Sequence, residues 1–336
     1  MATGIVSNAF FFLGHKTLSD VLLGINLVAY PTLVCATILR ALTWPRDLWR
    51  DLVDPRLVFS FFTFVAASDV LGLQLHVRGH DWAATALFLV ALAVWVPLGY
   101  FSFAVLTFDD SQTGVDVVHG GWLIAIVGTE SLVLLGAPLA PEFGSAERIT
   151  FIAVYTFWGI GIVFYGIFVT LFAYRIFFLS VDAVEMNPLF WVVMGAAAIA
   201  TNAGSTLILS EPDLPFLTDM KPFLNGTTLV LWAWATWWIP LLVVFGVWRH
   251  VVRKVRLRYH PMYWSLVFPL GMYAVATYKL SLAADYSPIN IFAKVMVWIA
   301  LAAWCAAFAG LVGSIVRPES PVGGSSTVRA GSQQQV

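Results

Sequence analysis

Charge is what this sequence has least of. Asp, Glu, Lys and Arg make up 11% of its 336 residues, against roughly 25% in a soluble domain. A water-soluble enzyme of this size would need more polar surface than these side chains supply. Neither sign dominates, since 18 Lys and Arg stand against 19 Asp and Glu. No basic field covers the molecule, which argues against nucleic acid as a partner. Cysteine is scarcer still. Cys35 and Cys305 lie in separate apolar runs, so neither a disulfide framework nor a thiolate metal site is expected. The six His do not cluster: His76 and His80 have connector spacing, and His119, His250 and His260 sit near the ends of apolar runs. HExxH, a Gly-rich phosphate loop and the GxSxG elbow are all missing. No enzymatic activity, metal or cofactor is expected. No basic stretch precedes the first apolar run, so no cleavable leader is expected, and no Cys-terminated lipidation motif is present.

What fills the chain is apolar: 60% of residues are hydrophobic. Nine long runs carry almost no charge: Val21–Leu39, Leu57–Val77, Trp82–Phe108, Val117–Pro141, Ile149–Tyr174, Met186–Ser210, Pro222–Trp248, Tyr259–Tyr278 and Val295–Val316. A membrane-spanning helix needs about 20 apolar residues, and these runs have that length. They lack the period-two alternation of barrel strands, and helices satisfy their own backbone in lipid. A tenth run, MATGIVSNAFFFLG at residues 1–14, would extend only about 21 Å as a helix. We expect a truncated first helix whose start lies upstream. The reading is an all-α integral membrane protein of ten spans. Residues 1–316 form its transmembrane domain, and 317–336, rich in Gly, Ser and Gln, form a disordered cytoplasmic tail.

Lys and Arg in the connectors set the orientation. With ten spans and both ends on one side, that side collects 12 basic residues, including Arg40 to Arg56 and Arg249 to Arg258. The other side holds Lys16, Arg78, Arg148 and Lys221, and gains at most Lys279 and Lys294. Both termini are expected in the cytoplasm. The Arg249–Arg258 cluster reads first as a topology determinant, and also as an attractor of anionic lipid or substrate.

Odd and even spans differ. Odd spans carry small and polar residues in their interiors: Thr3, Gly4 and Ser7 in the first, Asp69 near the outer end of the third, Gly128, Thr129 and Glu130 in the fifth, Thr201, Asn202 and Gly204 in the seventh, and Pro269 in the ninth. Even spans are bulkier. Polar groups in lipid face protein or a water-filled path, and small residues let helices approach. An inner ring of odd helices inside a shell of even ones satisfies both. Gly4, Gly128 and Gly204 read equally as bends or as close-packing positions, and Pro269 is expected to kink its helix. Asn202 reads equally as an anion donor or a lock between helices. Glu130 reads as a proton carrier or as the partner of a hydroxyl.

MATGIVS at Met1–Ser7, NPLFWVVMGAAAIATNAGS at Asn187–Ser205 and YWSLVFPLGMYAVAT at Tyr263–Thr277 resemble the tellurite-resistance/dicarboxylate transporter family, within the voltage-dependent anion channel superfamily. Bacterial tellurite-resistance transporters, plant slow anion channels, fungal malate permeases and sulfite efflux pumps belong to it. The resemblance implies five helical hairpins around a quasi-fivefold central pore in the plasma (inner) membrane. It implies a small inorganic or organic anion as substrate, and a homotrimer in which each subunit has its own pore. It also implies a phenylalanine on the ninth helix that occludes the pore. Phe268 matches that position, with Leu266 as the alternative register. A passive anion channel, a proton-coupled C4-dicarboxylate permease and a tellurite or sulfite exporter all remain open at this point. An integral membrane enzyme would need a converging catalytic constellation.

Overall fold

The computed structural model describes residues 1–108, 118–179, 181–183 and 185–316. The tail at 317–336 lies outside them. Among the described residues every regular element is helical. Five hairpins follow one another: α1 (Ala2–Phe12) with α2 (Lys16–Thr43); α4 (Phe62–His76) with α5 (Asp81–Phe108); α6 (Ile124–Leu139) with α7 (Glu147–Phe178); α8 (Val192–Leu209) with α10 (Lys221–Val247); and α11 (Trp264–Ala283) with α12 (Asn290–Val316). Two short helices, α3 (Pro45–Leu52) and α9 (Pro215–Asp219), sit in connectors. Eight stretches are long and apolar enough to cross a membrane, one of them holding both α6 and α7, and α1 is a shorter apolar helix.

The first helix of each hairpin packs against its counterparts on either side, in the order α1, α4, α6, α8, α11 and back to α1. This closes a five-helix ring. Every residue of α8 from Val192 to Ile208 is buried, as is nearly all of α6. The second helices are buried along one stripe only, which in α5 is Ala84, Phe88, Ala91, Trp95, Leu98 and Ser102. That spacing of three and four is one helix face; the rest of each outer helix is apolar and exposed, as lipid contact requires.

One aromatic hydrogen bond recurs around the ring, from each outer helix to the inner helix of the next hairpin. Tyr30 of α2 bonds Ser68 of α4 at 2.8 Å. Trp95 of α5 donates to Thr129 of α6 at 2.9 Å. Trp158 of α7 donates to the Ala200 carbonyl of α8 at 3.1 Å. Trp232 of α10 donates to Thr277 of α11, and Trp304 of α12 to Thr3 of α1, both at 3.0 Å. An indole has a large apolar body and one donor. It fits a seam where an outer helix must cover the groove and reach a lone acceptor in an apolar environment. The last bond joins the two ends of the chain. Trp304→Phe is expected to lower thermal stability in detergent by about 0.6–1.5 kcal/mol. Adding Thr3→Val should cost little more, because the pair is already broken. Fully additive losses would show that the bond contributes nothing.

The inner helices also share an entry. Asp54, His119, Asn187 and His260 each accept, through the side chain, the backbone N–H two residues ahead. A single 3-10 turn follows in each case: Val58–Phe61, Gly120–Leu123, Pro188–Trp191 and Pro261–Tyr263. These polar entries lie on the face that carries most of the basic connectors. His119 also bonds the Arg56 carbonyl at 2.6 Å, and Arg175 bonds the Val118 carbonyl. Burial holds the His119 imidazole below its ordinary pKa, against the opposing effect of the Arg56 carbonyl. On the opposite face, Arg78 pairs with Asp20 at 2.7 Å and Arg148 with Asp213 at 2.6 Å. Each ion pair therefore joins connectors that share a side.

Candidate functional site

Helix contacts fix which face of each inner helix turns toward the ring interior. On α11, Tyr273 meets Thr236 of α10 at 2.8 Å, and Thr277 takes the Trp232 indole; this face is outward. Gly271 lies against Ile5 and Val6 of α1, and Pro269 against Gly195 of α8. At roughly 100° per residue, Phe268 falls between those two inner seams and about 180° from Thr277. It is 1% exposed. Leu266, one heptad before Tyr273, shares the outward face, which favours Phe268 over Leu266 on the interior side. Gly195 is required by the close approach: a Cβ there would lie 2.7 Å from the Pro269 ring.

On α8, Gly204 faces outward, against Trp158 of α7 and Thr228 of α10. Asn202 lies about 160° round the helix from it. The Asn202 amide donates to the Met272 sulfur of α11 at 3.5 Å, while its buried carbonyl oxygen has no partner. The Thr201 hydroxyl donates back to the Ala197 carbonyl at 2.8 Å.

The other polar side chains expected along the interior are turned into helix seams. Thr3 takes the Trp304 indole. Ser7 and Ser19 exchange bonds of 2.7 and 2.8 Å between α1 and α2, each hydroxyl to the other's carbonyl. Gly4 sits against Val70, Asn26 and Gln74, and Gly128 against Phe62 of α4. Thr129 donates to Ala125 and accepts from Trp95. Glu130 points at α7, where a Cβ on Gly161 would overlap its carboxyl. The residue is fully buried and neither oxygen has a partner; no hydroxyl bonds it, contrary to one sequence reading. The reason for the general shift is local. A hydroxyl in an apolar bundle is best placed where a neighbouring helix supplies its partner, and those partners lie at the seams.

Sequence reasoning missed the buried polar pairs Asn26–Gln74 and Ser131–Asp69. Asp69 accepts from Ser131 at 2.7 Å across the α4–α6 seam. Asp69 was expected near the outer end of its span; it lies instead at the middle of α4, 1% exposed. Both residue types were visible in neighbouring odd spans, but their pairing depends on helix rotation. No Lys or Arg is among the buried residues described. By the same 100° per residue, Lys279 lies about 20° round α11 from Phe268, with its ammonium 4.8 Å from the Phe12 ring centre of α1.

The family model for the voltage-dependent anion channel matches residues 1–312. An uncharacterized membrane protein of Mycobacterium tuberculosis is 39% identical over 128 residues, 38% of this chain and 64% of that protein. The chain thus spans less than two-thirds of that relative's length. Two uncharacterized transporters of Methanocaldococcus jannaschii are 23% and 24% identical over 314 residues, 90% of this chain and 89% and 88% of theirs. The ring of five hairpins and the match along nearly the whole sequence agree: the chain belongs to the voltage-dependent anion channel family.

Proposed function

We propose that this protein passes small anions across a membrane along the axis of the five-helix ring, with Phe268 as the constriction. The single observation that carries this reading is the position of Phe268 between the α1 and α8 seams of α11, opposite the outward face. A bulky apolar ring at a narrow point excludes water and bars ions. An anion that passes it must exchange hydration for protein donors. Asn202 is one such donor, on the neighbouring inner helix and next to Met272. The Pro269 ring leaves one backbone position of α11 without a donor and loosens the turn that carries Phe268.

The transport domain is residues 1–316. We place it in the plasma (inner) membrane as a homotrimer, N- and C-termini cytoplasmic, in keeping with the basic connectors. The test is an anion-flux panel on the reconstituted full chain: chloride, nitrate, sulfite, tellurite and malate, with and without a pH gradient. Downhill flux of at least one anion is expected without the gradient. No flux of any of them through folded protein would end the proposal.

Proton-coupled dicarboxylate transport is the second reading, and the buried carboxyl of Glu130 is what favours it. That carboxyl faces Gly161, and passive conduction remains the leading reading. Wild type and Glu130→Gln are expected to show the same flux profile from mildly acidic to neutral pH. Gradient-driven malate accumulation that Glu130→Gln abolishes would instead establish coupling.

A further inference from the structure

The basic segment after α10 builds a cavity. Its first turn, Trp248–Val252, is a π-helix, a form that often marks functional sites. The chain then reverses through Lys254, whose φ of +55° is in the left-handed region; non-glycine residues rarely adopt it without a compensating constraint. Bonds from the Val255 N–H to the Arg249 carbonyl (3.1 Å) and between His250 and the Val255 carbonyl (2.8 Å) hold the reversal. The reversal sorts the cluster. Arg253 stacks on Trp248, with its guanidinium 4.9 Å from the ring centre. Arg249, Arg256 and Arg258 line a cavity of about 480 Å³ with Asn187, Tyr259 and His260. Its size is within the range of about 300–1,000 Å³ common for small-molecule sites.

Pro188, Met262 and Tyr263 give the wall an apolar part, and the polar part carries donors. Among the described residues that line it, none is acidic. Asn187 spends its amide oxygen on the Leu189 N–H at 2.9 Å, which leaves its NH2 end. His260 spends Nδ1 on the Met262 N–H at 3.2 Å, so its other nitrogen carries the proton. The Tyr259 oxygen accepts from the Trp264 indole at 3.2 Å, and its hydroxyl hydrogen is left to donate. Arg249 donates to the Met186 carbonyl, while its buried Nε has no partner. Asn187 and His260 also cap the entries to α8 and α11, so the cavity lies where two inner helices begin and their dipoles favour negative charge.

We propose that this cavity is a phosphate-binding site, occupied by the phosphate of an anionic lipid headgroup or of a soluble ion. The guanidinium groups of Arg249 and Arg256, with the donors of Asn187, Tyr259 and His260, present more N–H and O–H groups than one carboxylate accepts. A phosphomonoester carries about −1.5 to −2 charges and three acceptor oxygens, and guanidinium forks match that geometry. The site spans the end of α10 and the entries of α8 and α11, so its ligand joins an outer helix to two inner ones.

The test uses the full chain at constant ionic strength. Unfolding temperature is followed against inorganic phosphate in neutral detergent, and in phosphatidylcholine nanodiscs with increasing phosphatidic acid. Saturable stabilisation is expected in at least one arm. Phosphate alone identifies a soluble source; phosphatidic acid alone identifies lipid. Arg256 is exposed, so its replacement leaves the fold intact. Arg256→Gln is expected to weaken binding about tenfold, with Arg256→Lys between it and wild type. Arg253→Gln, outside the cavity, should bind as wild type does. The proposal is overturned by no saturation in either arm, or by equal weakening from Arg253→Gln and Arg256→Gln, which would mean a diffuse basic field.

Discussion

Replacing Phe268 by Ala should raise anion flux about tenfold, the effect of lowering the barrier by about 1.4 kcal/mol. The ring sits on the interior side of α11 and is almost wholly buried. If Phe268 is the constriction we propose, removing it widens that point and lets water and ions remain in contact. Truncating a buried Phe also costs about 3–5 kcal/mol of stability, so flux has to be scored per folded molecule. Phe268→Leu keeps most of the apolar volume and should fall between Ala and wild type. Leu266→Ala, on the outward face, should leave flux near the wild-type rate. If Leu266→Ala raised flux and Phe268→Ala did not, the constriction would belong to residue 266.

A single methyl group on Gly161 should destabilise the protein by about 1–3 kcal/mol. The added carbon would overlap the Glu130 carboxyl, which is buried between α6 and α7 without a hydrogen-bond partner. A flexible side chain at the surface would swing aside into water; this one is fully buried, so its shift has to displace neighbouring atoms. Gly161→Ala in a Glu130→Ala background should cost close to nothing, since the clashing group is gone. The difference between backgrounds is a coupling free energy, of the order of 0.5–3 kcal/mol for residues in contact. Unfolding of the four proteins in detergent measures it. Equal losses from Gly161→Ala in both backgrounds would show that Glu130 packs elsewhere.

Much of the architecture was legible before any coordinates. Scarce charge and long apolar runs require helices in lipid, because no other open structure satisfies the backbone there. The alternation of small polar spans with bulky ones separates ring from shell, since a helix surrounded by helices needs small residues and one facing lipid does not. The uncharged run Trp82–Phe108 became α5, and the polar-interior run Met186–Ser210 became the wholly buried α8. The candidate site was legible only in part. Thr3, Ser7, Thr129 and Glu130 were recognisable as buried polar residues, but composition carries no information about rotation around the helix axis.

What the sequence determined by itself is the set of helices, their division into inner and outer, and the side that holds the basic connectors. These follow from transfer free energies, which are sums over residues and do not depend on who the neighbours are. Only the tertiary structure decided the direction of each polar group. One residue of register turns a side chain by about 100°, enough to move it from the axis to a seam. Contacts between residues far apart in the chain set that rotation: Trp304 with Thr3, Gly195 with Pro269, Glu130 with Gly161. The Arg249–Arg258 cluster was visible as charge. The left-handed turn at Lys254 and the capping bonds of Asn187 and His260 placed part of it around a cavity. Hydrogen bonds are directional and short-ranged, so their pattern exists only once the helices have packed.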